Sequence, residues 1–444
     1  MNNKFLNLVC LFVIVTNISF AQWVVDYTPN VRVQFQAVVK DNKIFCIGGN
    51  SNGPTNTVDI YDTQNESWLP SQNISTARAF PATVVGDSAI YAVGGIEDYV
   101  DDNIGSNRVD IYKNETWYID SIPEKIWCAQ AVHVGNKILI AGSIKRFLPS
   151  DNVFEPSKLV HVYDELTGVW SIDSLSQARS SIAVATDGNL AIFAGGKAGM
   201  DQLSNVVDIY NATTNTWSTA SLSEARMLVA GVYANGKFYF AGGAKNGIDM
   251  PSAVVDIYDG TNWTTSQLSF PRAGICAVEA NNRIFFTGGG FVNVPGFFYS
   301  TSEALVDEFD IASNTWSDSY MNYDKINHSV VSHNNKVYVI GGLAYSISSI
   351  INVMEIKEVN TGLNDEHTQK FFNVSPNPSN DKLVLNAPYL TQGNYRIEVI
   401  NSSGILMFTE SNTNVIDVSA LLQGLYFIKI ITKSGTQTSK FIKN

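Results

Sequence analysis

Four-residue apolar runs recur along the chain, among them Ile44-Phe-Cys-Ile47, Ile90-Tyr-Ala-Val93, Phe238-Tyr-Phe-Ala241 and Val337-Tyr-Val-Ile340. Runs this short, rich in β-branched and aromatic residues, predict strands buried on both faces. Turn signals stand just ahead of such runs: Asn235-Gly236, Asp187-Gly188, Gly135-Asn136 and Asn334-Asn335. These pairs favour the positive φ of tight hairpins, so a first strand precedes each apolar run. Each run closes on a glycine pair, at Gly48-Gly49, Gly94-Gly95, Gly195-Gly196, Gly242-Gly243, Gly288-Gly289 and Gly341-Gly342, with Gly142-Ser143 in one unit. A Val-Asp-Ile-Tyr-like stretch and a tryptophan follow. The tryptophans, Trp23, Trp68, Trp117, Trp170, Trp217, Trp263 and Trp316, are spaced 45 to 53 residues apart. A unit repeated at this period is one supersecondary element of an array.

The glycine pairs are expected where backbone crowding near an axis leaves no room for a Cβ. The Tyr and Trp residues, such as Tyr61 with Trp68 and Tyr210 with Trp217, supply apolar area between neighbouring units. Trp23 precedes the first glycine pair, and no tryptophan follows the last one before residue 370. The strand at Trp23 is therefore expected to complete the final unit and hide its open edge.

These residues resemble the kelch motif, whose repeat of about 50 residues forms one four-stranded blade of a β-propeller. The resemblance implies an all-β fold, a seven-bladed kelch propeller over residues 22–356.

Nine residues after six of the tryptophans, and ten after Trp68, stand Arg32, Arg78, Ile126, Arg179, Arg226, Arg272 and Lys325. The next glycine is always sixteen residues further on, so the register is firm. The six basic residues are expected to ring one mouth of the central channel. Two readings follow. The ring holds an anionic ligand through the planar guanidinium fork, or its arginines bond backbone carbonyls of a neighbouring blade. The long second-to-third-strand loops carry Phe147, Phe154, Phe291, Phe297, Phe298 and Tyr299. These aromatics either stack on a ligand or pack their loops. The acidic run Glu97, Asp98, Asp101, Asp102 lacks the EF-hand ligand spacing and reads as a solvated loop.

Charged residues make up 16% and the formal net charge is -12. No broad basic face is expected, so nucleic acid is excluded as a partner. Five histidines form no His-Glu-x-x-His pair, and no Gly-x-Ser-x-Gly elbow occurs. No catalytic residue, metal or cofactor is assigned. Cys46, Cys128 and Cys276 read as buried structural thiols.

Lys4, an apolar core from Phe5 to Val15, and Ser19-Phe20-Ala21 read as a signal peptide over residues 1–21. No later segment is apolar enough for a transmembrane helix. Residues 357–370 read as a linker. After them come Ser375-Pro376-Asn377-Pro378, Leu383-Val-Leu385, Tyr395-Arg-Ile-Glu-Val-Ile400, Gly424-Leu-Tyr-Phe-Ile-Lys-Ile430 and Lys440-Phe-Ile-Lys443. Short alternating strands predict a small β-sandwich over residues 371–444. Its Pro-Asn-Pro entry, Gly-x-Tyr strand and basic tail resemble the type A sorting domain of the Bacteroidetes type IX secretion system. That resemblance implies the secretion machinery as partner and a secreted or cell-surface destination.

The leading expectation is a monomeric binding protein that recognises a glycan or protein ligand on the basic-ringed face. The alternative is a sugar epimerase resembling the kelch-type sialic acid epimerases.

Overall fold

A computed structural model describes residues 23–98, 105–148, 153–245, 250–293, 298–299, 301–359, 373–376, 378–386, 395–401, 405–432 and 435–444. The signal-peptide residues 1–21 and positions 360–370 of the expected linker lie outside the described residues.

Residues up to 359 build seven four-stranded antiparallel sheets. Sheets 1 to 6 are continuous in sequence, spanning 36–73, 82–126, 130–174, 183–221, 230–267 and 276–325. Sheet 7 takes three strands from 329–358 and its outer strand from Val24–Tyr27, which pairs antiparallel with Val353–Glu358. The first strand of every sheet lies against the first strands of both neighbours, sheet 7 against sheet 1 included, so the sheets form a closed ring. Two-residue turns at Gly135-Asn136, Asn235-Gly236 and Asn334-Asn335 join first to second strands, and Gly135, Asn235, Gly236, Asn334 and Asn335 hold positive φ.

The apolar second strands are buried on both faces, because each sheet packs between two others. Tyr61 and Trp68 of sheet 1, ring centroids 5.0 Å apart, share a cluster with Tyr338 and Ile340 of sheet 7. Tyr112 and Trp117 of sheet 2 pack the same way on Phe45 and Ile60 of sheet 1. The indole N–H then ties the outer strands together: Trp117 donates to Gln72 at 2.9 Å and Trp170 to Asp120 at 2.9 Å.

The crowding at the glycine pairs has a specific source. A Cβ on Gly48, Gly195, Gly242 or Gly288 would lie 2.6 Å from the carbonyl oxygen of Arg78, Arg226, Arg272 or Lys325, the ring residue that leads into the next sheet. The following glycine donates its N–H to that same carbonyl, as Gly49 does to Arg78 at 2.8 Å and Gly342 to Arg32 at 3.2 Å. Both glycines hold positive φ, so no other residue type combines the space and the conformation.

The last strand of sheet 7 runs to Glu358, two residues into the expected linker. Lys357 is buried there and pairs with Glu308 of sheet 6, which ties it to the ring rather than to solvent.

The C-terminal residues form a sandwich. A three-stranded sheet (Asn373–Ser375, Lys382–Asn386, Val415–Asp417) faces a four-stranded one in the order Leu406–Ser411, Arg396–Asn401, Gly424–Thr432, Gly435–Lys443. Leu383, Leu385, Ile397, Val399, Ile416, Ile428 and Phe441 fill the space between.

Candidate functional site

The six basic positions share one environment. Arg32, Arg78, Arg179, Arg226, Arg272 and Lys325 are each at most 2% exposed. Each pairs with an acid on the third strand of the sheet that follows it in the chain: Asp59, Asp110, Asp208, Asp256, Asp307 and Glu355. The arginine–carboxylate contact of sheet 6 measures 2.8 Å and the Lys325–Glu355 contact 3.2 Å. Other guanidinium nitrogens donate to carbonyls of the same sheet, as Arg32 Nη1 does to Cys46, Gly48 and Thr57 at 3.0 to 3.1 Å, while the buried Nε of all five arginines and Nη1 of Arg272 have no hydrogen-bond partner among the described residues. The carboxylates are held from behind as well. Backbone N–H groups of Ser75, Ser176, Ser223 and Ser269 donate to Asp110, Asp208, Asp256 and Asp307 at 2.7 to 2.9 Å.

Burial pulls the ionisation of Arg78, Arg179, Arg226 and Lys325 down, and the adjacent carboxylates pull it back up. A charge removed from water persists only with such a partner. This corrects both readings of the ring. Its side chains are buried and each charge already faces a carboxylate, so the ring does not present its forks to solvent. The carbonyls it bonds belong to its own blade, not to the neighbour.

Sheet 3 departs from the pattern at both members of the pair. Ile126, at the end of the sheet 2 strand that leads into sheet 3, stands at the basic position and His161 at the acidic one, both buried. Neither ring nitrogen of His161 has a hydrogen-bond partner among the described residues, and burial pushes its pKa below the ordinary histidine value.

Two residues past the ring position, every sheet turns through the left-handed region: Gln34, Phe80, Cys128, Ser181, Leu228, Gly274 and Asn327 have φ between 50° and 64°. These residues form a collar of half-buried side chains at the inner end of the first strands. Their backbones are stitched from sheet to sheet. Phe80 N–H donates to Gln34 O at 2.7 Å, Gly274 to Leu228 at 3.1 Å, Leu228 to Ser181 at 3.3 Å, and Gln34 to Asn327 at 3.4 Å. Only glycine and asparagine announce this conformation in sequence; at Phe80, Cys128 and Leu228 nothing does.

His328, next to the collar, is a wall residue: it is buried against Thr287, with Nε2 2.9 Å from Oγ1, and burial lowers its pKa to about 3. The three thiols are free, and burial pushes each up to about 12.

The second-to-third-strand loops on the ring's face form a crown of small hairpins: Ile144–Leu148 with Val153–Pro156, Lys197–Gly199 with Gln202–Leu203, Val292–Asn293 with Phe298–Tyr299, and Leu343–Ala344 with Ser349–Ile350. Phe147 pairs with Phe154 across the first. Phe154 is buried, with Lys197 Nζ 4.9 Å from its ring centre, so it packs one hairpin on the next. Phe298 and Tyr299 lie in the third hairpin, while Phe297, Asp101 and Asp102 fall outside the described residues.

Phe291 is buried. It joins Phe270 and Leu305 of sheet 6 and Ile400 and Phe427 of the C-terminal sandwich in one apolar cluster. The rings of Phe270 and Phe427 meet edge-on at 4.9 Å. Beside them Lys429 Nζ lies 2.7 Å from Glu303 Oε1, with both side chains at most 3% exposed. Strand Gly424–Thr432 thus buries Tyr426, Ile428 and Ile430 in its own core and Phe427 and Lys429 against the propeller.

Comparison with known proteins agrees with this architecture. The secretion system C-terminal sorting domain family matches residues 373–444, and the kelch motif family matches residues 32–73. Kelch-like protein 38 of Rattus norvegicus is 30% identical over 130 residues, 28% of this chain and 22% of that protein. An F-box/kelch-repeat protein of Arabidopsis thaliana is 32% identical over 97 residues, 22% of this chain and 25% of the relative. The chain thus spans about a quarter of the length of these relatives. The solved structure of YjhT superposes with a TM-score of 0.50 at 16% identity, covering 66% of this chain and 99% of that one, which is a likeness of fold. This chain is an all-β kelch-type propeller that carries a secretion system C-terminal sorting domain.

Proposed function

We propose that this is an exported, surface-displayed binding protein whose crown of hairpins holds a glycan or protein ligand. The observation that carries the reading is the division of labour on the crown face. The basic ring beneath repeats one buried ion pair at six of the seven sheets. The hairpins above it differ from sheet to sheet in length and composition. Rigid scaffolds present recognition on such variable loops. Residues 373–444 supply the export signal, with the secretion machinery as their partner.

The test uses the full chain and variants with Gly-Ser in place of 145–155 or of 198–202, on a glycan array and in crosslinking to cell-surface proteins. Capture lost in a variant with an unchanged melting temperature supports the crown as the binding surface. Capture unchanged in both variants, or NMR-detected epimer or anomer turnover of sialic acids by the chain, overturns it.

A further inference from the structure

On the face opposite the crown, three side chains from three separate segments converge. Asp87 lies in the turn between the first two strands of sheet 2, His133 on the first strand of sheet 3, and Glu165 just after the third strand of sheet 3. Their ligand atoms all lie within 4.8 Å of one another. His133 Nε2 is 3.0 Å from Glu165 Oε2 and 3.5 Å from Asp87 Oδ1. Nε2 is buried, yet it makes no hydrogen bond of acceptable geometry to either oxygen. A plain imidazole–carboxylate pair would place its N–H on that line.

The spacing instead suits atoms that share a cation. Two ligands at about 2.0–2.1 Å from a tetrahedral zinc ion sit roughly 3.3 Å from each other, and the two contacts bracket that value. The outer partners are in place too. Tyr91 donates its hydroxyl to Glu165 Oε1 at 3.1 Å, and the Asp87 N–H donates to Oε2 at 3.1 Å. Such bonds orient a ligating carboxylate. Gly86 makes the space: a Cβ there would run into the Glu165 carboxylate. The Glu165 side chain is 6% exposed and that of Asp87 64%, so the cluster has a dry side and a wet one.

We propose that Asp87, His133 and Glu165 bind a divalent ion of the zinc class, with the fourth position open to water, and that the ion clips sheet 2 to sheet 3. One imidazole nitrogen with two carboxylate oxygens selects zinc over the oxygen-only preference of calcium or magnesium. The clip sits on the sheet whose inner pair has been replaced by Ile126 and His161.

Isothermal titration of the metal-stripped full chain with zinc, in excess magnesium and calcium, tests this. The expected result is one saturable site and a raised melting temperature. His133→Ala and Asp87→Asn should each weaken binding about a hundredfold or more, and Tyr91→Phe about tenfold. Asp87 lies on an exposed turn, so its variant remains informative if His133→Ala fails to fold. Absence of saturable zinc binding, zinc affinity unchanged in Asp87→Asn, or displacement of zinc by the excess calcium would overturn the proposal.

Discussion

Sheets 3 and 5 share strand order, hairpin turns and position in the ring, yet they solve the same inner position in opposite ways. Sheet 5 buries Arg226 against Asp256, with the Ser223 N–H and the Gly242 and Val254 carbonyls completing the network. Sheet 3 buries Ile126 and His161 and ionises neither position. Both members of the pair change together. The ring therefore tolerates a full ion pair or none, and the intolerable state is half of one. That is the expected behaviour of buried charges, whose removal as a pair is often neutral while removal of one partner is costly.

The largest effect should come from breaking that rule in sheet 5. Asp256→Ala leaves the Arg226 guanidinium buried without its carboxylate, and urea unfolding should show a loss of about 3–5 kcal/mol. Adding Arg226→Ile and placing His at position 256 copies sheet 3 and should restore most of the loss. A double variant as unstable as the single one would show that sheet 3 escapes for some other reason.

The contact between propeller and sorting domain offers the same comparison at an interface. Glu303→Ala strands the Lys429 ammonium beside Phe270 and Phe427, at a cost of roughly 3 kcal/mol to docking. Calorimetry should then resolve two transitions where the parent shows one, and protease should release the C-terminal sandwich. A single unchanged transition would mean that the ion pair does not hold the two parts together.

The smallest effect, per unit of pH, separates the imidazole of sheet 3 from the carboxylates of the other six. His161 and His328 are kept neutral by burial, His328 with a pKa of about 3. Below pH 6.5 the unfolded chain takes up protons at these sites more readily than the folded chain does. Stability from each histidine is therefore present above pH 6.5 and is lost as pH falls from 6.5 toward the folded value, with a limiting slope of about 1.4 kcal/mol per pH unit. His161→Leu should flatten unfolding free energy against pH in this window. An unchanged slope would place the proton uptake elsewhere.

Much of this was readable before any coordinates. Glycine pairs, hairpin turns and the tryptophan register follow from short-range steric rules, and the Trp23 closure from counting. The ring position was equally plain, but its meaning was not. The acid of each Val-Asp-Ile-Tyr stretch stands in full view, and the matching exchange at Ile126 and His161 was a visible signal that the two positions are partners. What hid it is that parity along a strand assigns a side, not a neighbour. The docking face of Gly424–Thr432 was concealed for a related reason: apolar residues on both sides of a strand mark double burial without saying what lies beyond. Asp87, His133 and Glu165 come together only through the packing of two sheets, which no local pattern encodes.

The seam of the ring also sets an order of events in time. Asn352 donates to the Thr28 carbonyl across 324 residues of chain, and among the described residues Val24–Tyr27 pairs with Val353–Glu358 alone. Contacts that close so long a loop carry the largest entropic cost and form late. Until they do, sheet 7 keeps a free edge on Val353–Glu358, a template for the wrong partner. Val24–Tyr27, synthesised ahead of the other strands of the ring, is thus the last of them to be used, and the interval between the two is when the molecule is most exposed to misassembly.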